Sequence, residues 1–95
     1  MICILVKIKI KKNKEKIFEK TLSSLSRKIR DNEKGNIFYQ VAKDREEPLK
    51  YIIMEKFKDI ESIKEHSKSE HVRKARISFE ECFDEAPIIR HFDAL

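Results

Sequence analysis

The chain is 95 residues long, with 22 Lys and Arg against 17 Asp and Glu, for a formal charge of +5. Apolar residues make up 40% of it, enough Ile, Leu, Val and Phe for a core, which excludes disorder by composition. No apolar run approaches the roughly 18 residues of a membrane-spanning helix, so the expectation is one domain over residues 1–95 with no membrane partner.

From the N-terminus, Ile2, Ile4, Val6, Ile8 and Ile10 alternate with Cys3, Leu5, Lys7, Lys9 and Lys11. Period-two alternation of β-branched residues predicts a strand, apolar on both faces in its first half and polar on one face in its second. The apolar start, Met1–Val6, has no basic leader and soon becomes lysine-rich, so it makes a poor secretory signal and a cytoplasmic location is expected. Asn13 is the predicted N-cap of a helix from about Lys14 to Arg30, in which Ile17, Phe18, Thr21, Leu22, Leu25 and Ile29 keep helical spacing. The only glycine, Gly35, lies in the turn-forming stretch Asp31–Asn36 that should end the helix.

Ile37 to Ala42 is the predicted second strand, and Lys43 to Pro48 a charged hairpin loop, since Pro48 cannot donate to a ladder. Leu49 to Phe57 is the third strand, apolar on both faces at Tyr51-Ile52-Ile53-Met54. Asp59 then caps a short helix carrying Ser62, Ile63, His66 and Ser67. A second helical stretch runs through Val72, Ala75, Phe79 and Phe83, before Pro87 breaks it and Ile88 to Phe92 forms a last strand. The order β-α-β-β-α-β predicts an α+β, ferredoxin-like fold, an antiparallel sheet with its helices on one face. Strands one and three are apolar on the other face too, and a chain this short cannot leave that face in water. A second copy closing the two open faces into a dimeric α/β barrel is the simplest remedy, so a homodimer is expected.

The charge is uneven. Residues 1–34 carry 11 basic and four acidic side chains, a balance of +7, whereas residues 35–95 carry 11 and 13, a balance of −2. Positive charge confined to one strand–helix unit describes a lysine-rich solvated surface rather than a nucleic-acid-binding face. The third strand also lacks the glycine-flanked aromatic pattern of an RNA-recognition motif and carries Glu55 at its centre. Cys3 and Cys82 are too few for a disulfide scaffold, fit no zinc or redox spacing, and read as reduced, partly buried thiols.

His66-Ser67-Lys68-Ser69-Glu70-His71 is the most unusual local stretch. Its histidines are five apart where a metalloprotease helix needs four, so no metal is expected, and helix-end histidines bonded to backbone are the bland alternative. Glu55 shares a strand face with Tyr51, Ile53 and Phe57. A carboxylate among apolar neighbours has a raised pKa and can serve as acid or base, unless Lys56 or Lys58 pairs with it. Tyr39, on strand two, is as a type more often a core aromatic than a catalytic acid. No Gly-rich phosphate loop, dinucleotide fingerprint or Gly-x-Ser-x-Gly elbow occurs.

Glu33-Lys34-Gly35-Asn36-Ile37-Phe38-Tyr39, then Asp44, then Tyr51 through Asp59, then His66 through His71 together resemble the antibiotic biosynthesis monooxygenase (ABM) superfamily. Its members typically read Glu-x-Gly-(Asn/Cys)-x-x-Tyr, an apolar strand ending Glu-x-(Trp/Phe/Tyr)-x-Asp, and His-x-x-Ser-x-His on a helix. The resemblance spans essentially the whole chain and implies a dimeric α+β barrel with a hydrophobic pocket between sheet and helices in each protomer. It implies a cofactor-free monooxygenase in which a quinol or similar small aromatic is deprotonated and itself passes an electron to dioxygen. Position by position, His66 and His71 correspond to the helix histidines and Glu55 to the strand-three acid, the implied catalytic set. Asn36 and Tyr39 correspond to the strand-two polar positions and Phe57 to the pocket aromatic, the implied substrate-binding set.

Phe57 stands where many members have Trp, and Glu70 where many have Pro. The haem-degrading branch pairs a strand-one Asn with that Trp, and this chain has neither. A branch that isomerises a phosphorylated quorum-sensing signal (autoinducer-2 processing) shares the Glu-Gly-Asn stretch and is the enzymatic alternative. A dimeric ligand-binding protein without turnover is the third, and it would be marked by polar groups that already satisfy one another.

Overall fold

The computed structural model describes residues 1–95. Its elements are β1 (Ile2–Lys9), α1 (Glu15–Asn32), β2 (Asn36–Lys43), β3 (Lys50–Phe57), α2 (Ile60–Lys68), α3 (Glu70–Glu80) and β4 (Ile88–Asp93). The strands form one antiparallel sheet in the order β2-β3-β1-β4, the ferredoxin-like arrangement expected from the sequence.

Strand pairing sorts the side chains into two faces, because neighbours across a ladder point the same way. One face carries the rows Tyr39–Glu55–Ile4–His91 and Val41–Ile53–Val6–Ile89. Phe18, Leu22, Leu25 and Ile29 of α1 and Val72, Ala75 and Phe79 of α3 bury this face with Ile8, Ile10, Tyr51 and Ile53. Phe18 sits at its centre, edge-on to Tyr51 at 4.9 Å and 5.2 Å from Phe79 between ring centroids. The other face carries Phe38–Lys56–Cys3–Phe92 and Gln40–Met54–Leu5–Arg90. No helix of the chain covers it, and Phe38 is 50%, Phe92 45% and Ile88 58% exposed. β4 pairs only with β1, and all six of its residues are exposed.

Local details differ from the sequence expectation at two places. Asn13 is not the helix cap; it takes φ 71°, a left-handed conformation that Asn tolerates better than most residues, and Lys14 enters the helix without a side-chain cap. Phe83 lies beyond α3 and forms a bridge to Ile10, its ring 5.8 Å from Phe79. The short helix and the second helical stretch expected from the sequence are indeed separate, and the division falls at Ser69. Asp59 does cap α2, its Oδ1 accepting from the Ser62 backbone N–H at 2.8 Å and the Ser62 hydroxyl at 2.7 Å. Gly35 has no special φ; it is needed because any Cβ there would overlap the Ser62 side chain. That close approach, with the Lys58 N–H donating to the Gly35 carbonyl at 2.8 Å, holds the start of β2 against α2.

Candidate active site

Ser69 assembles the site. Its backbone is extended (φ −63°, ψ 148°), and its hydroxyl donates to the His66 carbonyl at 2.7 Å while accepting from the Val72 N–H at 3.3 Å. In an uninterrupted helix, residues five apart point about 140° away from each other. The break at Ser69 redirects α3, so that His66, at the end of α2, and His71, in the first turn of α3, both face one carboxylate, that of Glu33.

Glu33 closes the C-terminus of α1, with its N–H donating to the Ile29 carbonyl at 2.9 Å. Nδ1–H of His66 donates to Glu33 Oε1 at 2.8 Å, and Nε2–H of His71 to Oε2 at 2.5 Å. Burial pushes the Glu33 carboxyl up, but the bonds from His66 and His71 outweigh it and hold the pKa below the ordinary carboxylate value. An ionised carboxylate only accepts, so each histidine nitrogen facing Glu33 carries a proton. In the neutral form of each imidazole, that arrangement would leave the lone pair on Nε2 of His66 and on Nδ1 of His71.

His66 Nε2 lies 3.7 Å from Glu55 Oε1, within ion-pair range and too far for a hydrogen bond. The His66 ring also stands edge-on to the fully buried Phe57, with centroids 5.1 Å apart. Glu55 is the only buried charged residue; burial raises its pKa to about 6, with His66 opposing the rise and Glu33 adding to it. Neither Lys56 nor Lys58 pairs with it. Tyr39 is directly across the ladder from Glu55, and burial, then the Glu55 and Glu33 charges, push its phenol well above the ordinary value. Asn36 is paired with Phe57 one row further along. Asn36 Nδ2 and Glu55 Oε1 are both buried and both without a hydrogen-bond partner. A buried donor and a buried acceptor left open cost about 1–3 kcal/mol each, which a polar atom of a bound molecule can recover.

The structure therefore gathers Asn36, Tyr39, Glu55, Phe57 and His66 at one end of the helix-covered sheet face. His71 stands apart, behind Glu33, in the wall of a groove of about 490 Å³ between α1 and α3. A second groove of about 490 Å³, between α1 and β2, has Tyr39 in its wall. The grooves are of mixed lining, with two hydrophobic residues of 11 in the first and five of 12 in the second, not the apolar pocket that the resemblance implies. No three His, Cys, Asp or Glu side chains are grouped to hold a metal ion, and no helix is long and apolar enough to cross a membrane.

Sequence reasoning placed Glu33 in the Glu-x-Gly-Asn-x-x-Tyr motif but gave it no role in the site, where it forms the hub of the cluster. A further local signal was an acid at a helix C-terminus, where the helix dipole disfavours negative charge.

The sequence profile of the antibiotic biosynthesis monooxygenase family matches residues 1–76, and the chain belongs to that family. Among solved structures, it resembles a Caulobacter crescentus protein named for the same family, at 26% identity and TM-score 0.95 over 99% of this chain and 89% of that one. A conserved protein from Methanosarcina mazei is 27% identical, with TM-score 0.89 over 96% of this chain and 89% of that one. A Nitrosomonas europaea protein named for the family shares the fold at TM-score 0.92 and 19% identity, over 100% and 99% of the two chains. A comparison with curated proteins yields no match.

Proposed function

We propose that the protein is a cofactor-independent monooxygenase that oxidises a quinol or similar small aromatic at the Glu55–His66 end of the sheet, working as a homodimer. The observation that carries this reading is the pair of open buried atoms, Asn36 Nδ2 and Glu55 Oε1, with His66 Nε2 3.7 Å from the second of them.

In this reading the phenolic O–H of the substrate donates to His66 Nε2. The imidazolium that forms lies between two carboxylates, Glu33 at Nδ1 and Glu55 at Nε2, which stabilise it, while the Asn36 amide donates to the phenolate oxygen. Phe57 holds the imidazole edge, and Tyr39 borders the ring. The phenolate passes one electron to dioxygen, the two radicals join at a ring carbon, and loss of water leaves a hydroxyquinone. A hydroquinone and one O₂ thus give one hydroxyquinone and one H₂O. His71, bonded to the far side of Glu33, positions that carboxylate and takes no proton from substrate.

The sheet face bearing Phe38, Met54, Leu5 and Phe92, which no helix covers, supports the homodimer, because exposed apolar side chains grouped on one face favour self-association. The unsatisfied Asn36 and Glu55 atoms count against a ligand-binding protein without turnover, whose polar groups would satisfy one another. The cationic side chains along both grooves are what favour the alternative isomerase of a phosphorylated signal.

Oxygen uptake with a panel of hydroquinones tests the proposal. One O₂ consumed per hydroxyquinone formed supports it. No uptake with any member, together with turnover of a phosphorylated keto compound, would select the isomerase.

A further inference from the structure

Two arginines are left over by the site. Arg27 and Arg30 lie one turn apart on α1, in the wall of the α1–β2 groove, and neither enters an ion pair or a hydrogen bond. The other charges in that groove cancel: Lys43 pairs with Glu19 at 3.0 Å, and Glu19 also accepts from the Tyr51 hydroxyl at 2.6 Å. Two uncompensated guanidiniums therefore face a groove with Leu22, Val41 and Tyr39 in its lining.

Tyr39 links the groove to the site. It lines the groove and stands opposite Glu55 on the neighbouring strand, and the Glu55 and Glu33 charges act on its phenol. A planar ring against Leu22, Val41 and Tyr39 would meet Arg27 and Arg30 in the groove wall and, at Tyr39, the one lining residue that stands across the ladder from Glu55. Guanidinium is built for bidentate pairing with a planar oxyanion, which it recognises far better than a neutral hydroxyl. At about 490 Å³, the groove falls within the range of small-molecule sites. The α1–α3 groove is less suited to a ring, since Leu25 and Ala75 are its only hydrophobic lining.

We infer that the α1–β2 groove is the substrate-recognition site, and that the preferred substrate class is a dihydroxyaromatic acid whose carboxylate is held by Arg27 and Arg30. This inference rests on the reading of Glu55 and His66 as the hydroxyl-binding end. It also gives part of the surplus positive charge of residues 1–34 a specific partner.

Equilibrium binding to the full chain, followed by calorimetry and amide NMR, separates this inference from the oxidation chemistry. The probes are 2,5-dihydroxybenzoate and its neutral counterpart hydroquinone. The acid is expected to bind about tenfold more tightly, as one charge-assisted pair allows. Arg27→Gln and Arg30→Gln should each shrink that preference severalfold and together abolish it. Lys16→Gln, an exposed α1 charge outside both grooves, should leave the preference intact. Equal affinity for the two probes, no binding of the acid, preference retained in the double variant, or shifts centred on Lys28 and Lys74 would each overturn the inference. Preferential binding without oxygen uptake would leave the groove assignment standing and remove the monooxygenase reading.

Discussion

Replacing Glu55 by Gln tests the electrostatics of the site without touching substrate. Burial lifts the Glu55 pKa from an ordinary 4.5 to about 6, so the folded protein holds this proton more tightly than the unfolded chain. A group raised in this way contributes stability that is fully present below about pH 4.5 and is lost as pH rises through about 6. At about 1.4 kcal/mol for each pH unit between the two values, the loss is about 2 kcal/mol. The amide that replaces the carboxyl cannot ionise, so the variant should keep what the wild type loses. The assay is urea unfolding followed by circular dichroism from pH 4 to pH 8, both proteins at one fixed concentration. The quantity to read is the difference between the two stabilities, in which titrating groups that do not interact with Glu55 cancel and any constant penalty of a buried amide is only an offset. This difference should move by about 2 kcal/mol in favour of the variant, mostly between about pH 4.5 and pH 6.5. A flat difference, or one that moves in favour of the wild type, would refute the assignment of Glu55 as a carboxylate destabilised by burial.

Four further outcomes follow from the same geometry. Glu33→Gln removes the charged acceptor shared by two imidazoles and should cost about 2 kcal/mol at pH 7; because the Glu33 pKa is lowered, that cost should fade as pH drops below about 4.5, and imidazole NMR should report altered tautomers. Gly35→Ala should destabilise by about 1–3 kcal/mol through overlap with Ser62, and Ser62→Gly in the same chain should recover part of the loss in thermal unfolding. Met54→Lys should convert a homodimer to monomer in sedimentation velocity, while an unchanged mass would place the subunit contact elsewhere. If ionised Glu55 stabilises the His66 imidazolium, kcat/KM for hydroquinone oxidation should rise with pH through about 6, and Glu55→Gln should lose that inflection.

The fold was legible in the sequence because each element carries its own period. Alternating Ile2, Ile4, Val6 and Ile8 could only be a strand facing a core, and Phe18, Leu22, Leu25 and Ile29 a helix covering it. Helix ends were less legible: Asn13 has the chemistry of a cap, but it was taken up by the left-handed turn leading into α1. At the site, Glu55 stood out as a charge in an apolar row, and the histidines as a pair at an odd spacing. Their division of labour was not legible, because it depends on the direction in which α3 leaves Ser69, and a one-residue break sets that direction. Glu33 was visible as the acid that opens the Glu-x-Gly-Asn-x-x-Tyr motif, but its role was not, since an acid beside a turn is commonplace until two helices converge on it.

The central claim, that His66 and not His71 faces the reacting oxygen, is tested most directly by oxygen uptake with the best hydroquinone in His66→Gln and His71→Gln, measured side by side. Loss of a general base costs about 10²- to 10⁴-fold, so His66→Gln should lose at least about a hundredfold in kcat, and His71→Gln much less. A full loss in His71→Gln with near-normal turnover in His66→Gln would contradict the account.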